Sequence, residues 1–169
     1  MEFFDVLKTR RSVRAFKPAV PPKEKLDAIL GAIRIAPSAG NVQAFKIRVV
    51  TDTAVKRALA KASFGQGFVA EAPWVIAFLT DAEASRASYG ERGAQLYAVQ
   101  DATIACAHAH LAAAAVGLGS VWVGAFSAAA VTSALGTPPE FVPVALLPVG
   151  TPAEEPKPTS RKTIEELVI

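Results

Sequence analysis

The chain has 169 residues, with 18 lysines and arginines against 15 acidic residues and a formal charge of +3, a length that fits a single domain spanning residues 1–169. So small a surplus, spread along the chain, gives no case for nucleic-acid binding and leans only slightly toward acidic small molecules. Hydrophobic residues make up 51% and charged residues 20%, more apolar surface than one small domain hides, which points to an obligate, core-like interface with a second copy.

Glu2–Thr9 reads as a first helix. Its charges at Glu2, Asp5 and Lys8 argue against a secretory leader, and a cytoplasmic location is expected. It runs into Arg10-Arg11-Ser12-Val13-Arg14, three guanidiniums and a hydroxyl in five residues. Arginine's planar fork matches phosphate oxygens and keeps its charge. A phosphate monoester carries roughly −1.5 to −2 charges near neutral pH, so the stretch suits one. Taken alone, it is more simply a solvated basic turn.

Pro21-Pro22 open a second helix, with Leu26, Ile29, Leu30 and Ile33 on one apolar face. Pro37 stops it, and Pro37–Gln43 reads as a turn-rich loop. Phe45–Val50 alternates apolar and basic residues as a strand with one wet face. Thr53–Ala62 is a short basic helix, and Ser63–Gly67 a loop holding Gln66. Pro73–Thr80 is apolar on both faces and reads as a central strand. Asp81–Gly93 reads as a polar surface connection, and Ala94–Val116 as the longest helix. That helix holds Cys106, the single cysteine, which has no internal disulfide partner and reads as a small core residue.

Gly117–Phe126 superficially suggests a dinucleotide fingerprint. The order is wrong, because these glycines follow a helix and lead toward a strand, and Trp122 stands where the third glycine belongs. What Gly124 and Ala125 offer is open backbone that a flat ligand can approach. Ser127 caps a short helix ending at Gly136. Val142–Val149 is a last core strand, and Pro143 places its start at or near an edge. From Thr151 the prolines at 152, 156 and 158 favour an extended tail that crosses to a partner. Thr163 and Glu166 have capping-box spacing.

Three separated blocks now resemble one family: RRSVRAF at Arg10–Phe16, APSAGNVQ at Ala36–Gln43 and GLGSVWVGAF at Gly117–Phe126, with the ending SRKTIEELV at Ser160–Val168. The chain resembles the small FMN-dependent nitroreductases over essentially its whole length. That resemblance implies an α+β fold, a mostly antiparallel mixed sheet flanked by helices, in a homodimer that binds FMN at the subunit interface and exchanges its C-terminal tail. It implies that Arg10 and Ser12 hold the phosphate and ribityl region, with Arg11 less directly involved. Arg14 is implied to lie near flavin N1–O2, and Arg161 with Lys162 to complete the phosphate site. Pro37, Ser38 and Asn41 are implied to reach the flavin from the other subunit, and the backbone N–H groups of Gly124 and Ala125 to face N5 and O4.

The implied activity is FMN-dependent NAD(P)H oxidoreduction. NADH or NADPH delivers hydride to flavin N5, and a nitroaromatic, quinone or similar small molecule is reduced by ping-pong turnover. No side chain needs to act as a nucleophile. No metal site, membrane or nucleic acid is implied. Relatives with flavin-fragmenting or dehalogenating chemistry, or a flavin-binding protein without turnover, are the alternatives. Ala44-Phe45 stand where the family often has Pro-Trp, which predicts a changed loop shape with binding intact.

His108 and His110 lie about 200° apart around a helix, too far to share one metal ion, and read as buried or interface histidines. Asp101 is expected to cap or to pair within the dimer. Gln66 reads either as a contact to the flavin's pyrimidine edge or as ordinary loop polarity. Tyr89 and Tyr97 are candidates for the edge of the substrate pocket, and Trp74 and Trp122 for the core.

Overall fold

The computed structural model describes residues 2–169. Four antiparallel strands form its sheet: β1 (Phe45–Val50), β2 (Trp74–Thr80), β3 (Gly119–Ser120) and β4 (Pro143–Gly150), in the order β1-β2-β4-β3. Seven α-helices accompany them among the described residues: α1 (Phe3–Thr9), α2 (Lys23–Arg34), α3 (Thr53–Ala62), α4 (Phe68–Glu71), α5 (Ala82–Arg92), α6 (Ala98–Ala115) and α7 (Ala128–Leu135).

Strand alternation divides the core between the two faces of the sheet. From β2, Val75, Ala77 and Leu79 join Leu59 of α3 and Val131 and Leu135 of α7 in one cluster. Trp74, Ile76 and Phe78 join Ile29 and Ile33 of α2 and the small residues of α6 in the other. Every residue of β2 is buried, as the doubly apolar run predicts for a strand covered on both sides. Alanine at 105, 109 and 113 and Cys106 let α6 lie close against the sheet. Burial also pushes the Cys106 thiol well above its ordinary range, which leaves it unreactive.

Several expectations need correction. Asp81–Gly93 is not a plain connection: Ala82–Arg92 is helix α5, capped where the Asp81 carboxylate accepts from Ala84 N–H at 3.2 Å. Its apolar stripe is weak, which hid it from a periodicity reading. The long helix is entered through a π-turn at Gly93–Tyr97. β4 lies between β2 and β3, but β3 pairs only with its last two residues, Val149 and Gly150, so its start at Pro143 is flanked by β2 alone, as the proline predicts. The segment after Gly117 forms only a two-residue strand plus a single bridge from Val123 to Leu146.

Gly117 ends α6 with φ +73°. Leu118 N–H reaches Ala113 O at 2.8 Å and Gly117 N–H reaches Ala114 O at 3.0 Å, a Schellman closure that turns the chain toward β3. The tail first pairs with the N-terminal segment, Ala153 N–H to Ala15 O at 2.9 Å and Lys17 N–H to Thr151 O at 2.9 Å. From Lys157 onward every residue is exposed. Thr163 and Glu166 form a reciprocal capping box, at 2.8 and 3.3 Å, as their spacing predicts.

Candidate functional site

The Arg10–Arg14 segment is fixed by the end of α1 and by β3. Arg10 N–H closes the helix onto Val6 O at 2.9 Å, and Val13 N–H bonds Ser120 O at 3.1 Å. Ser12 and Ser120 pair as a parallel bridge. This approach depends on Gly119, where a Cβ would lie 2.8–2.9 Å from the Val13 side chain.

Two cavities share Arg10 and Arg11. One, of about 420 Å³, is also walled by Gly119, Ser120, Pro152 and Glu154. The other, of about 230 Å³, is walled by Lys8, Pro158, Thr159 and Arg161 as well. The structure therefore brings residues from both ends of the chain to one basic cleft. Among the described residues, none of Arg10, Arg11, Arg14 and Arg161 is in an ion pair. Burial, then Arg161, then Arg11 lower the pKa of Arg10 from its usual range. Arginine cannot relieve this by losing its proton, so the arrangement calls for an anion. Arg161 is held by the Thr159 and Ser160 carbonyls and the Thr159 hydroxyl. Lys162 is exposed beside it. The Glu154 carboxylate accepts the backbone N–H groups of Arg14 and of Ala15, while the Arg14 side chain is exposed.

Behind Arg10 stands His110. Arg10 Nη1 is 3.0 Å from His110 Nε2, and His110 Nδ1 is 2.6 Å from Ser120 Oγ. Burial and then Arg10 push the imidazole down to about 4. Sequence spacing finds nothing here, because 100 residues separate the two partners.

The Pro37–Gln43 loop lines neither cavity. Asp101 of α6, buried, anchors it: one carboxylate oxygen accepts Ala39 N–H at 2.9 Å and the other Ala44 N–H at 3.2 Å. Ser38 Oγ accepts Gln43 N–H at 3.0 Å, and Asn41 Oδ1 accepts from the Gln43 amide at 3.2 Å. Gly40, Asn41 and Gln43 all have positive φ, and a Cβ on Gly40 would overlap the Tyr89 hydroxyl. The loop is thus a rigid, exposed projection.

Gly124 and Ala125 are exposed just after the Val123 bridge. Among the described residues their N–H groups donate to no protein acceptor. The Gln66 amide nitrogen donates to Ser63 O at 3.0 Å and to Ala125 O at 3.2 Å, which ties the Ser63–Gly67 loop to this segment.

A family model described as the nitroreductase family matches residues 7–67 and 64–151. The chain is similar to a protein of Thermus thermophilus named NADH dehydrogenase, with 36% identity over 95% of this chain and 91% of that one. It is also similar to FMN reductase [NAD(P)H] of Bacillus subtilis, with 28% identity over 90% of this chain and 67% of that one. Among solved structures, the NADPH:FMN oxidoreductase from Vibrio harveyi complexed with NAD+ superposes with a TM-score of 0.90 at 25% identity, covering 99% of this chain and 76% of that one.

Proposed function

The chain belongs to the nitroreductase family, and from that membership we propose that it is an NAD(P)H-dependent oxidoreductase working with FMN as a homodimer. Relatives named NADH dehydrogenase, NADPH nitroreductase and FMN reductase support the activity and the cofactor. FMN, when bound, supplies the redox chemistry, taking hydride at N5 from NADH or NADPH and passing reducing equivalents to a nitroaromatic, quinone or similar acceptor in a ping-pong cycle.

The observation that carries this reading is the cleft where Arg10, Arg11 and Arg161 converge without an ion-pair partner. A phosphate monoester answers both its charge and its donor geometry. In this reading Arg10, Arg11, Ser12, Arg161 and Lys162 bind and orient the phosphate end. Arg14 stands at the pyrimidine edge, where its charge steadies the negative charge of the reduced ring. The unused N–H groups of Gly124 and Ala125 supply fixed donors to the ring's N5–O4 side. Pro37, Ser38 and Asn41 of the second protomer close the other face, a role that fits a stiff loop aimed outward.

The homodimer is supported by apolar surface that one protomer leaves open. Phe3 and Phe4 of α1 are 62% and 70% exposed, and Ile164, Leu167 and Val168 of the tail are exposed too. The residues beyond Arg161, exposed throughout and carrying Ile164, Leu167 and Val168, support an exchanged arm.

Purified protein loaded with FMN is expected to oxidise NADH or NADPH when given a nitroaromatic or a quinone. A loaded protein that oxidises neither nucleotide with any such acceptor would contradict the oxidoreductase reading.

A further inference from the structure

We propose that His110, with Ser120 behind it, is a positioning residue that sets which donors of Arg10 face the anion cleft; this rests on the reading of that cleft as the FMN phosphate site. Arginine has donors and no acceptor. The 3.0 Å contact from Arg10 Nη1 to His110 Nε2 therefore requires Nε2 to carry the lone pair. The ring proton then sits on Nδ1 and is donated to Ser120 Oγ at 2.6 Å. Arg10, a donor only, fixes the tautomer; Ser120, whose hydroxyl can accept the Nδ1 proton, holds the ring in place; and the Nε2 acceptor takes one Arg10 nitrogen out of play. The remaining guanidinium donors are left for a ligand.

The arrangement is built rather than incidental. Ser120 is 2% exposed and its carbonyl also accepts Val13 N–H, so the hydroxyl cannot drift. His110 comes from α6, Ser120 from β3 and Arg10 from the end of α1, so three elements must dock for the relay to form. The neutral ring adds no charge to a cleft already crowded by Arg10, Arg11 and Arg161. A lysine or arginine at 110 would add repulsion, and a leucine would leave the guanidinium to swing.

The test compares FMN with riboflavin, which lacks the phosphate, by quenching of flavin fluorescence on titration with cofactor-free protein. His110→Leu is expected to weaken FMN about tenfold, the scale of a lost hydrogen bond to a charged group, and to leave riboflavin within about twofold. His110→Gln, whose amide oxygen can again accept from Arg10, is expected to recover most of the FMN affinity. In wild-type protein, nitrogen NMR of the imidazole should show the proton on Nδ1, and Arg10→Ala should release that preference. Equal loss of FMN and riboflavin in His110→Leu, no loss of either, or no rescue by His110→Gln would overturn the role given to His110. Should His110→Leu fail to fold, the NMR comparison decides: a ring proton on Nε2 in wild type, or an unchanged tautomer in Arg10→Ala, would overturn the role given to His110. A wild-type protein that binds no FMN would instead overturn the reading of the cleft, and this inference with it.

Discussion

Arg10 sits where burial and two neighbouring guanidiniums all oppose its charge, and it has no proton to give up. Removing a charge-assisted contact costs about 1.5–3 kcal/mol, so Arg10→Ala and Arg161→Ala are each expected to weaken FMN by roughly ten- to a hundredfold. Riboflavin binding should change far less, and raised salt should narrow the gap; isothermal titration at two salt concentrations checks both. His110 gives a separate signature in the cofactor-free protein. Its imidazole is held near 4 against a usual 6.5, with Arg10 facing it and Arg11 and Arg161 beyond. Between those values the unfolded chain binds a proton that the folded chain refuses. This group's contribution is therefore whole above about pH 6.5 and is lost as pH falls toward 4. Urea melts across that range should show the decline in wild type and a shallower one in His110→Gln. The arginines were legible in the sequence because their chemistry is local, three in five residues. His110 was not, because its meaning comes only from a partner a hundred residues away.

At the scale of elements, the sheet was legible wherever alternation or a continuous apolar run marked it, as in β1 and β2. Helix α5 was not, because it lacks a strong apolar stripe and its Gly90 takes a positive φ. The blocks around Gly119 and Asp101 show why a motif can be read without its reason. Gly119 is glycine because Val13 lies against it. Gly119→Ala is expected to cost about 1–3 kcal/mol of stability through overpacking and to weaken FMN by displacing the Arg10–Arg14 segment. Adding Val13→Ala should restore part of both, since the two sites share one contact; thermal melts and FMN titration of the double-mutant cycle measure it. Asp101 was expected at a cap or a dimer contact, yet its carboxylate clamps Ala39 and Ala44. Asp101→Asn aims a donor at one of those N–H groups. It should cost about 1–3 kcal/mol and raise hydrogen exchange across Ala39–Ala44, whereas unchanged exchange there would show that the loop holds itself.

At the scale of the whole molecule, the proposed homodimer rests on apolar surface that the single chain leaves open. Phe3, Phe4 and Leu7 on α1 and the tail's Ile164, Leu167 and Val168 are all exposed. Ending the chain after Pro158 removes Arg161 together with that arm. The shortened protein is expected to lose FMN affinity and to shift toward monomer in sedimentation, while a dimer of undiminished strength would show that the arm is not what joins the subunits. Composition pointed to surplus apolar surface, and the exposed side chains of α1 and the tail are where the chain carries it; which patches would meet in a pair is not written in one sequence. The most direct measurement is the visible spectrum of the purified protein titrated with FMN under anaerobic conditions and then with NADH and NADPH separately. The account predicts saturable uptake of one FMN per chain, a perturbed flavin spectrum and bleaching by at least one nucleotide. A colourless protein that takes up no FMN with Arg10, Arg14 and Arg161 intact would contradict it.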